Sequence, residues 1–373
     1  MRLDNREMKK AYKGVSSTKL KVLSSGPQVL SQPHQLKIRS MVEFVADERS
    51  GFSFSLSPAP APKLRVQDQE ILPLREALNL SQRESIEILS NAMISVSFAN
   101  DIFNNTDHYF TNGIGIEFVH PAIRKIPLTN FLFPGTSGSE VLYGLQFTHN
   151  MYTPLNPDLQ NISFGDRPFA ATLSLSIYKI SINHFKGSRI SSGIRLGIMG
   201  PAALGSEVQS MIHDIEPEGW VHQLGNSIIA DYYIQYESGF LKSRTLSLNY
   251  LAGFNIGSLH NKANAGLVLR FVNEAGKQKT QNKISAGLNY SFFLRSQINL
   301  IAYDATLQGN MFRSNSDYHL ENAEISRMTF YATAGFSLNY QGINLSVEQS
   351  YLSPEFNGAL PHRWLQIKTS FAL

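Results

Sequence analysis

The sequence predicts an all-β protein, an antiparallel transmembrane β-barrel of about 12 strands with a short helix near the candidate active site. Three observations favour this fold. Most of the chain alternates apolar and polar residues, as a strand does when one face meets lipid and the other meets water. No stretch approaches the ~18 consecutive apolar residues of a membrane helix, so any membrane crossing must use strands. The alternation also continues to the last residue, Leu373, which is typical of a barrel closed by its final strand.

The composition is compatible with a barrel and excludes several kinds of chemistry. Of the 373 residues, 42% are hydrophobic and 17% charged, and the mean hydropathy is -0.16. Such an average suits a barrel, because only every second residue of a strand meets lipid. Cysteine is absent, which excludes disulfides, thiolate metal ligands and thiol nucleophiles. The net charge of +4 is modest, and no basic run with interleaved aromatic residues indicates a nucleic-acid partner.

The N-terminal segment, residues 1–91, differs from the rest. It has little periodicity, its opening is basic, and Pro58 to Pro62 alternates proline with alanine as an extended linker does. No apolar stretch of ~7–15 residues follows the basic start, so we find no recognisable signal peptide. We therefore expect residues 1–91 to be a poorly structured extension, or the product of a wrongly assigned start codon. The barrel is expected to occupy residues 92–373.

The strand pattern begins at residue 92. Small or polar residues share one parity and bulky apolar residues the other, which indicates a filled, polar lumen and a lipid-facing wall. The apolar faces of the clearest runs are Ile94, Val96 and Phe98; Ile114, Ile116 and Phe118; Leu173, Leu175 and Ile177; Phe330, Phe336 and Leu338; and Leu365, Ile367 and Phe371. About 13 such runs occur. Since single-chain bacterial barrels have even strand numbers, we predict about 12 and expect the run near Ile284–Leu294 to be miscounted.

One segment, residues 205–216, breaks the alternation. Val208, Met211, Ile212 and Ile215 recur at helical spacing and predict a short helix with one apolar stripe. Ser206 and Gln209 have the spacing of a capping box, and Pro217 ends the helix. Gln209, His213 and Glu216 fall on the polar face beside the stripe. A helix of this kind is a plausible way to hold a catalytic base over the mouth of the lumen.

These residues resemble a known family, the outer-membrane lipid A 3′-O-deacylases (the LpxR-like family). The resemblance covers roughly residues 92–373, with its motifs confined to 92–225. The motifs are Phe98-Ala-Asn-Asp101, Asp107-His-Tyr-Phe-Thr-Asn-Gly113, Tyr152-Thr-Pro154, Gly165-Asp-Arg-Pro-Phe169, Gly200-Pro201, Glu207-Val-Gln-Ser-Met-Ile-His213 and Gly219-Trp-Val-His-Gln223. Each motif alone is weak, but their order and spacing are specific.

The resemblance implies a bacterial outer-membrane enzyme that uses Ca2+ to hydrolyse the ester-linked 3′-acyloxyacyl group of lipid A. It places the family's Asn-Asp pair on Asn100 and Asp101, its hydroxyl on Thr111 and its helix histidine on His213. The family's glutamate falls on Glu216 or Glu218, because this chain is shorter after the histidine. The implied partners are lipopolysaccharide and outer-membrane lipids, and we expect a monomer.

The chain departs from the family in one further place. The basic residues that the family carries after its Tyr-x-Pro stretch are replaced here by Asn156-Pro-Asp158. The choice among differently decorated lipid A head groups therefore does not follow from the resemblance.

The chemistry of the residues agrees with these roles. Asp101 and Asn100 supply the hard oxygen ligands that Ca2+ prefers. Asp101 and Thr111 have lumen parity, whereas Asn100 has lipid parity and needs a bend or bulge to turn it toward them. His213 could deprotonate a water, with Glu216 fixing its tautomer. Thr111 could orient that water or donate to the oxyanion.

Other interpretations remain open. An Asn-Asp pair at a strand end often forms a turn, Gln209 could serve only in a capping box, and a lone helix histidine is usually solvated. A non-catalytic barrel, either a small channel or a structural protein, is the main alternative function. A barrel phospholipase would share Ca2+ and histidine but usually employs a serine nucleophile, and the sequence singles out no such serine. No Gly-x-Ser-x-Gly motif occurs, which argues against an α/β-hydrolase.

Overall fold

The structure, a computed structural model, describes residues 41–47, 51–57, 91–101, 108–157, 160–212, 218–243, 245–273, 288–313 and 316–373. The chain forms two compact units, Met1–Ile71 and Leu72–Leu373. In the first, strands β1 (Met41–Asp47) and β2 (Gly51–Ser57) form an antiparallel hairpin. This hairpin was not predicted, and it lies within the segment that we expected to be poorly structured. The boundary at residue 91 stays a prediction.

The second unit contains a closed barrel of 12 antiparallel strands, β3 to β14, in which β14 pairs with β3. The strands are β3 (Met93–Asn100), β4 (Tyr109–Val119), β5 (Glu140–Thr153), β6 (Ala170–Asn183), β7 (Ser188–Met199), β8 (Ser227–Lys242), β9 (Leu246–Gly257), β10 (His260–Val272), β11 (Asn289–Asp304), β12 (Met328–Tyr340), β13 (Ile343–Leu352) and β14 (His362–Ala372). The predicted fold class and strand number are confirmed.

Part of the run near Ile284–Leu294 is a barrel strand. Its second half, from Asn289, is the start of β11, which pairs with β10 and β12. Residues 284–287 lie outside the described residues. The expected miscount at this place stays a prediction, because the described part of the run is not a strand by itself but belongs to β11, which continues to Asp304.

Short helices occupy the connections. They are the α-helices α1 (Gly205–Ile212) and α2 (Ala305–Gln308), and the 3-10 helices Pro121–Lys125, Pro127–Phe131, Pro201–Ala203 and Glu218–His222. Among the residues that the structure describes, no helix is both long and apolar enough to cross a membrane. Helix α1 was predicted over 205–216, and residues 213–217 lie outside the described part of the chain.

The predicted parity holds along the strands. On β3, Ile94, Val96 and Phe98 are exposed on the outer wall, whereas Ser95 and Ala99 are buried in the lumen. Residues that pair across neighbouring strands lie on the same face of the wall. Phe98, for example, lies opposite Ile114 on β4 and Ile367 on β14. Each strand thus presents an apolar row to lipid and a polar row to the lumen.

The two ends of the barrel differ in their connections. The end that contains Asn100 carries the long segments 153–170, 199–227 and 304–328. The opposite end has the tight turns 183–188, 242–246 and 340–343 and two longer connections, 119–140 and 272–289, so that its connections are shorter in total. Outer-membrane barrels have longer loops on the extracellular side. The end with Asn100 is therefore extracellular.

Candidate active site on the outer wall

The candidate site begins at the extracellular ends of β3 and β4. Asn100 is the last residue of β3 and lies opposite Asn112, and both positions have the outward parity of Phe98 and Ile114. The lipid parity predicted for Asn100 is confirmed. The bulge is on β4, where the register shifts between Phe110 and Asn112 and leaves Thr111 as the extra residue. We expected a bend or bulge at Asn100 on β3. That location was wrong, because the bulge is on the neighbouring strand, β4. Thr111 is buried, and parity does not define its direction at a bulge.

Asp101 follows β3 directly and is almost completely buried. Its Oδ2 accepts a hydrogen bond from the backbone N–H of His108, at 2.9 Å. This bond ties the end of β3 to the residue that precedes β4 and fixes the carboxylate close to the strand end. The structure therefore brings Asn100, Asp101 and Thr111 into one region, as the sequence predicted.

Helix α1 packs against the outer wall of the barrel and not over the lumen mouth. Val208 of the helix contacts a cluster that contains Met151, Ala171 and Trp220, against which the outward-facing Leu173 and Ile198 also pack. The preceding 3-10 helix is fixed to the same wall, because the carbonyl of Ala203 lies 2.8 Å from Nε2 of the outward-facing His149. The placement over the lumen mouth was wrong, since the apolar side of the helix finds a larger apolar surface on the outside of β5 to β7.

Trp220 fixes the 3-10 helix Glu218–His222 against helix α1. Its indole N–H donates to Oε1 of Gln209 at 2.5 Å, and its ring lies 5.1 Å from that of Phe169. Gly205 allows the close approach, because a Cβ there would lie 2.5 Å from the Trp220 ring and 2.6 Å from Cβ of Ala171. The Gln209 oxygen thus serves a tertiary contact. Trp220 is a packing residue and not an interface anchor.

The predicted apolar stripe is only partly buried. Val208 is on the wall, but Met211 is 84% exposed. Ile215 lies outside the described residues, as do the predicted base His213 and its partner Glu216. Glu218 opens the 3-10 helix that carries Trp220 and is exposed. Among the described residues, no group of three or more histidines and carboxylates is arranged to hold a metal ion.

Sequence reasoning missed two polar residues next to this site. Asn112 and Thr153 have outward parity at the extracellular ends of their strands, yet both are buried. The side-chain oxygens Asn112 Oδ1 and Thr153 Oγ1 have no hydrogen-bond partner, which is costly for buried polar atoms. The sequence did contain a signal for these two residues, because each is a polar residue at a lipid-facing position near the end of a strand. Orphaned oxygens of this kind are suited to a ligand.

The lumen beneath the site contains two apolar layers and a small polar cavity, which is lined by Ser95, Gly113, Asn150 and Lys368 among others. An apolar layer that includes Met199, Leu224 and Ile229 lies toward the extracellular end, and a second layer, with Met93, Val119 and Leu142, lies at the other end. Between and beside them are polar side chains such as the Glu117–Lys368 ion pair, 2.7 Å apart.

A buried arginine connects the extracellular loops. One amino group of Arg167 lies 2.6 Å from a Glu355 carboxylate oxygen, the other donates to Thr306 Oγ1 at 2.6 Å, and its carbon CZ lies 4.4 Å from the Tyr152 ring centre. Burial raises the pKa of the Glu355 carboxyl, and the Arg167 guanidinium opposes that shift. Arg167 therefore secures three loops over the lumen.

A closed 12-stranded barrel with an apolar outer row defines the class of integral outer-membrane barrels. The sequence profile described as "Outer membrane protein LpxR" matches residues 72–373. The chain belongs to this family, and it is an outer-membrane protein.

Comparison with solved structures agrees with this assignment. The barrel is similar to LpxR from Salmonella typhimurium, with 18% identity over 75% of this chain and 100% of the other and a TM-score of 0.61. More distant similarities are to the β domain of the Bordetella autotransporter BrkA, with 11% identity over 76% and 98% of the two chains and a TM-score of 0.40, and to an outer membrane channel from Pseudomonas putida F1, with 9% identity over 78% and 99% and a TM-score of 0.42. No curated protein matches the chain.

Proposed function

We propose that this protein is a carboxylic ester hydrolase that removes the 3′-acyloxyacyl group from lipid A in a calcium-dependent reaction. One observation carries the proposal: helix α1 is packed on the outer wall beside buried polar strand ends. An ester in the outer leaflet meets this region from the lipid side, without entering the lumen. Membership of the LpxR family supports the same reaction.

The residues at the strand ends fit a calcium ion. Asp101 is a buried carboxylate, and Asn112 presents a buried amide oxygen without a partner directly opposite Asn100. Carboxylate and amide oxygens are the ligands that Ca2+ prefers. We propose that Asp101 and Asn100 hold the ion, with Asn112 as an additional oxygen donor. A bound calcium ion supplies Lewis-acid polarisation of the ester carbonyl.

The remaining roles fall to side chains of this chain. His213 follows helix α1 directly in the sequence, and its imidazole is suited to accept a proton from the attacking water. Glu216 orients the imidazole and selects its tautomer. Thr111 orients the water or donates a hydrogen bond to the developing oxyanion. These assignments rest on the resemblance and on the spacing of the helix predicted over residues 205–216. We also assign Asn100, at the end of its strand, to the catalytic residues.

The apolar layers in the lumen disfavour the channel alternative. Apolar layers around Leu224 and around Leu142 lie near the two ends of the barrel, and the polar cavity beside them is crossed by the Glu117–Lys368 ion pair. A water-filled path would need to displace both layers. A barrel phospholipase usually employs a serine nucleophile, and the sequence singles out no serine for that role.

The calcium proposal is tested by chelation. We expect EGTA to abolish release of the 3′-acyl group, measured by mass spectrometry of lipid A, and added calcium to restore it. Asp101→Ala should remove activity while the barrel keeps its heat-modifiable mobility, because one strand-end side chain contributes little to lipid-face burial. The control Asp317→Ala changes an exposed loop carboxylate, which pairs with His222 at 3.3 Å, and should retain activity. Full activity in chelator would reject the calcium role.

The base is tested by a graded set of variants. His213→Ala should lower ester cleavage by at least ~10²-fold, the lower end for general-base catalysis. Glu216→Gln should cost less, since it acts through the imidazole, and Glu218→Gln should cost little, because Glu218 begins the next helix. A larger loss for Glu218→Gln would transfer the partner role to that residue. Unchanged cleavage by His213→Ala would favour the non-catalytic barrel.

A further inference from the structure

The outer wall of β6 and β7 changes character toward the periplasmic end. At mid-height Leu175 is 50% exposed and Leu196 is 46% exposed, as lipid-facing residues should be. Nearer the periplasm the same outward parity is occupied by polar residues, all of which are buried: Lys179, Ser181, Asn183 and Ser192. Polar groups on a lipid-facing wall are costly unless they are covered and hydrogen-bonded.

The connection between β4 and β5, residues 120–139, covers these side chains. Lys179 Nζ donates to the carbonyl of Pro134 at 2.8 Å, and the N–H of Phe133 donates to Ser192 Oγ at 3.0 Å. Asn183 Nδ2 donates to Thr136 Oγ1 and to the carbonyl of Ser137, both at 3.2 Å. The connection is therefore fixed to the outside of the barrel, where it meets the periplasmic leaflet.

The free surface of this connection combines aromatic rings with positive charge. Phe131 is 73% exposed and Phe133 is exposed beside it, and Arg124 and Lys125 are exposed at the end of the first 3-10 helix. Residues 120–139 contain no aspartate or glutamate. Arg124 also lies close enough to Lys179 to act on it electrostatically.

The neighbouring turn between β6 and β7 also combines an exposed aromatic ring with a positive charge. Phe185, in the turn between β6 and β7, is 83% exposed, and Lys186 follows it. The carboxylate at the end of the connection, Glu140, faces His184 at 2.8 Å. Exposed rings and cations at one height of a barrel wall are the arrangement expected at a membrane interface.

We propose that this surface, formed by Arg124, Lys125, Phe131, Phe133 and Lys186, binds an anionic phospholipid of the periplasmic leaflet. The cations take the phosphate of the head group, and the rings lie at the boundary with the acyl chains. Cations near an anionic membrane surface contribute in this way, and salt screens the attraction. The surface is at the opposite end of the barrel from the proposed hydrolase site, so it does not depend on that proposal.

The test compares two lipids with identical acyl chains, phosphatidylglycerol and phosphatidylcholine, titrated onto the full-length protein in neutral detergent and counted by native mass spectrometry. We expect the wild-type protein to prefer phosphatidylglycerol. In the double variant Arg124→Gln/Lys125→Gln, the ratio of phosphatidylglycerol binding to phosphatidylcholine binding should fall roughly fivefold for each cation removed. Phe131→Ser should weaken both lipids equally.

The control is Arg363→Gln, because Arg363 is an exposed arginine on the outward parity of β14 at the extracellular end, where it lies over the Tyr351 ring at 5.7 Å. Heat-modifiable mobility confirms that each variant is folded, and Arg124→Lys should keep the preference. An undiminished preference in the double variant would overturn the proposal, as would an equal loss in Arg363→Gln. Deacylation is not measured, so the result is independent of the proposed function.

Discussion

Two sides of the barrel have the same strand alternation but different surroundings. On β12 no outward residue is buried, and Met328, Phe330, Phe336 and Tyr340 are exposed from one end of the strand to the other. On β6 Leu175 is exposed, whereas Ala171 above it and Ile177 below it are buried. Parity therefore determines which side of the wall a residue lies on, but it does not determine whether lipid reaches it.

The covered side carries α1, which the proposed hydrolase site uses, and the surface of the proposed phospholipid site. Residues 200–212 and 218–222, which include α1 and Trp220, cover the extracellular part of β5 to β7, and segment 120–139 covers the periplasmic part of β6 and β7. Both segments expose large apolar residues in turn, Met211 on the first and Phe131 on the second. The covering segments thus create buried polar positions on an outer wall while keeping an apolar surface toward the membrane.

The largest difference between the two sides is expected for Trp220→Ala. Removing a buried tryptophan opens a cavity between α1 and the wall, which costs about 3–5 kcal/mol in well-packed sites. Because the hydrogen-bonded strand ladder does not depend on this contact, we expect the barrel to keep its heat-modifiable mobility while deacylation is lost. The matched change on the bare side, Phe336→Ala, should leave deacylation unchanged. Equal losses in the two variants would mean that the covered side has no special role.

A smaller effect is expected for Gly205→Ala. The added methyl would meet the Trp220 ring and Ala171, and overpacking of this kind costs typically 1–3 kcal/mol. Displacement of α1 should lower deacylation without abolishing it. Gly193→Ala is the control, because its methyl would crowd the Tyr233 ring in the lumen and should reduce thermal stability but not deacylation. If both variants deacylate lipid A at the same reduced rate, general destabilisation explains the loss.

The comparison also shows how far the sequence could predict the molecule. The strand alternation predicted the closed barrel and the outward parity of Asn100, because lipid and lumen impose a strict period of two. The alternation gave about 13 runs, and the strand number of 12 followed only with the rule that such barrels have even strand numbers. The position of α1 was not predictable from its own stripe, since the stripe does not show that the helix turns back onto the outer face of the two strands before it, where it contacts Leu173 and Ile198. The orphaned oxygen of Asn112 was missed for the same reason: its burial depends on a neighbouring strand and on covering segments that a local pattern does not reveal.

The smallest effect is expected where a single hydrogen bond fixes a covering segment. Ser192→Ala removes the acceptor for the Phe133 N–H, and the loss of one such bond costs about 1 kcal/mol. Because the contact belongs to the periplasmic part of the wall, we expect deacylation to be unchanged and hydrogen exchange at the Phe133 amide to become faster. Ser337→Ala, which removes the partner of Asn344 at 2.5 Å inside the barrel on the bare side, should cost a similar free energy without changing exchange at Phe133. Faster exchange in both variants would show that the connection opens with the whole barrel, whereas faster exchange in Ser192→Ala alone would show that it is held locally by its contacts with the wall.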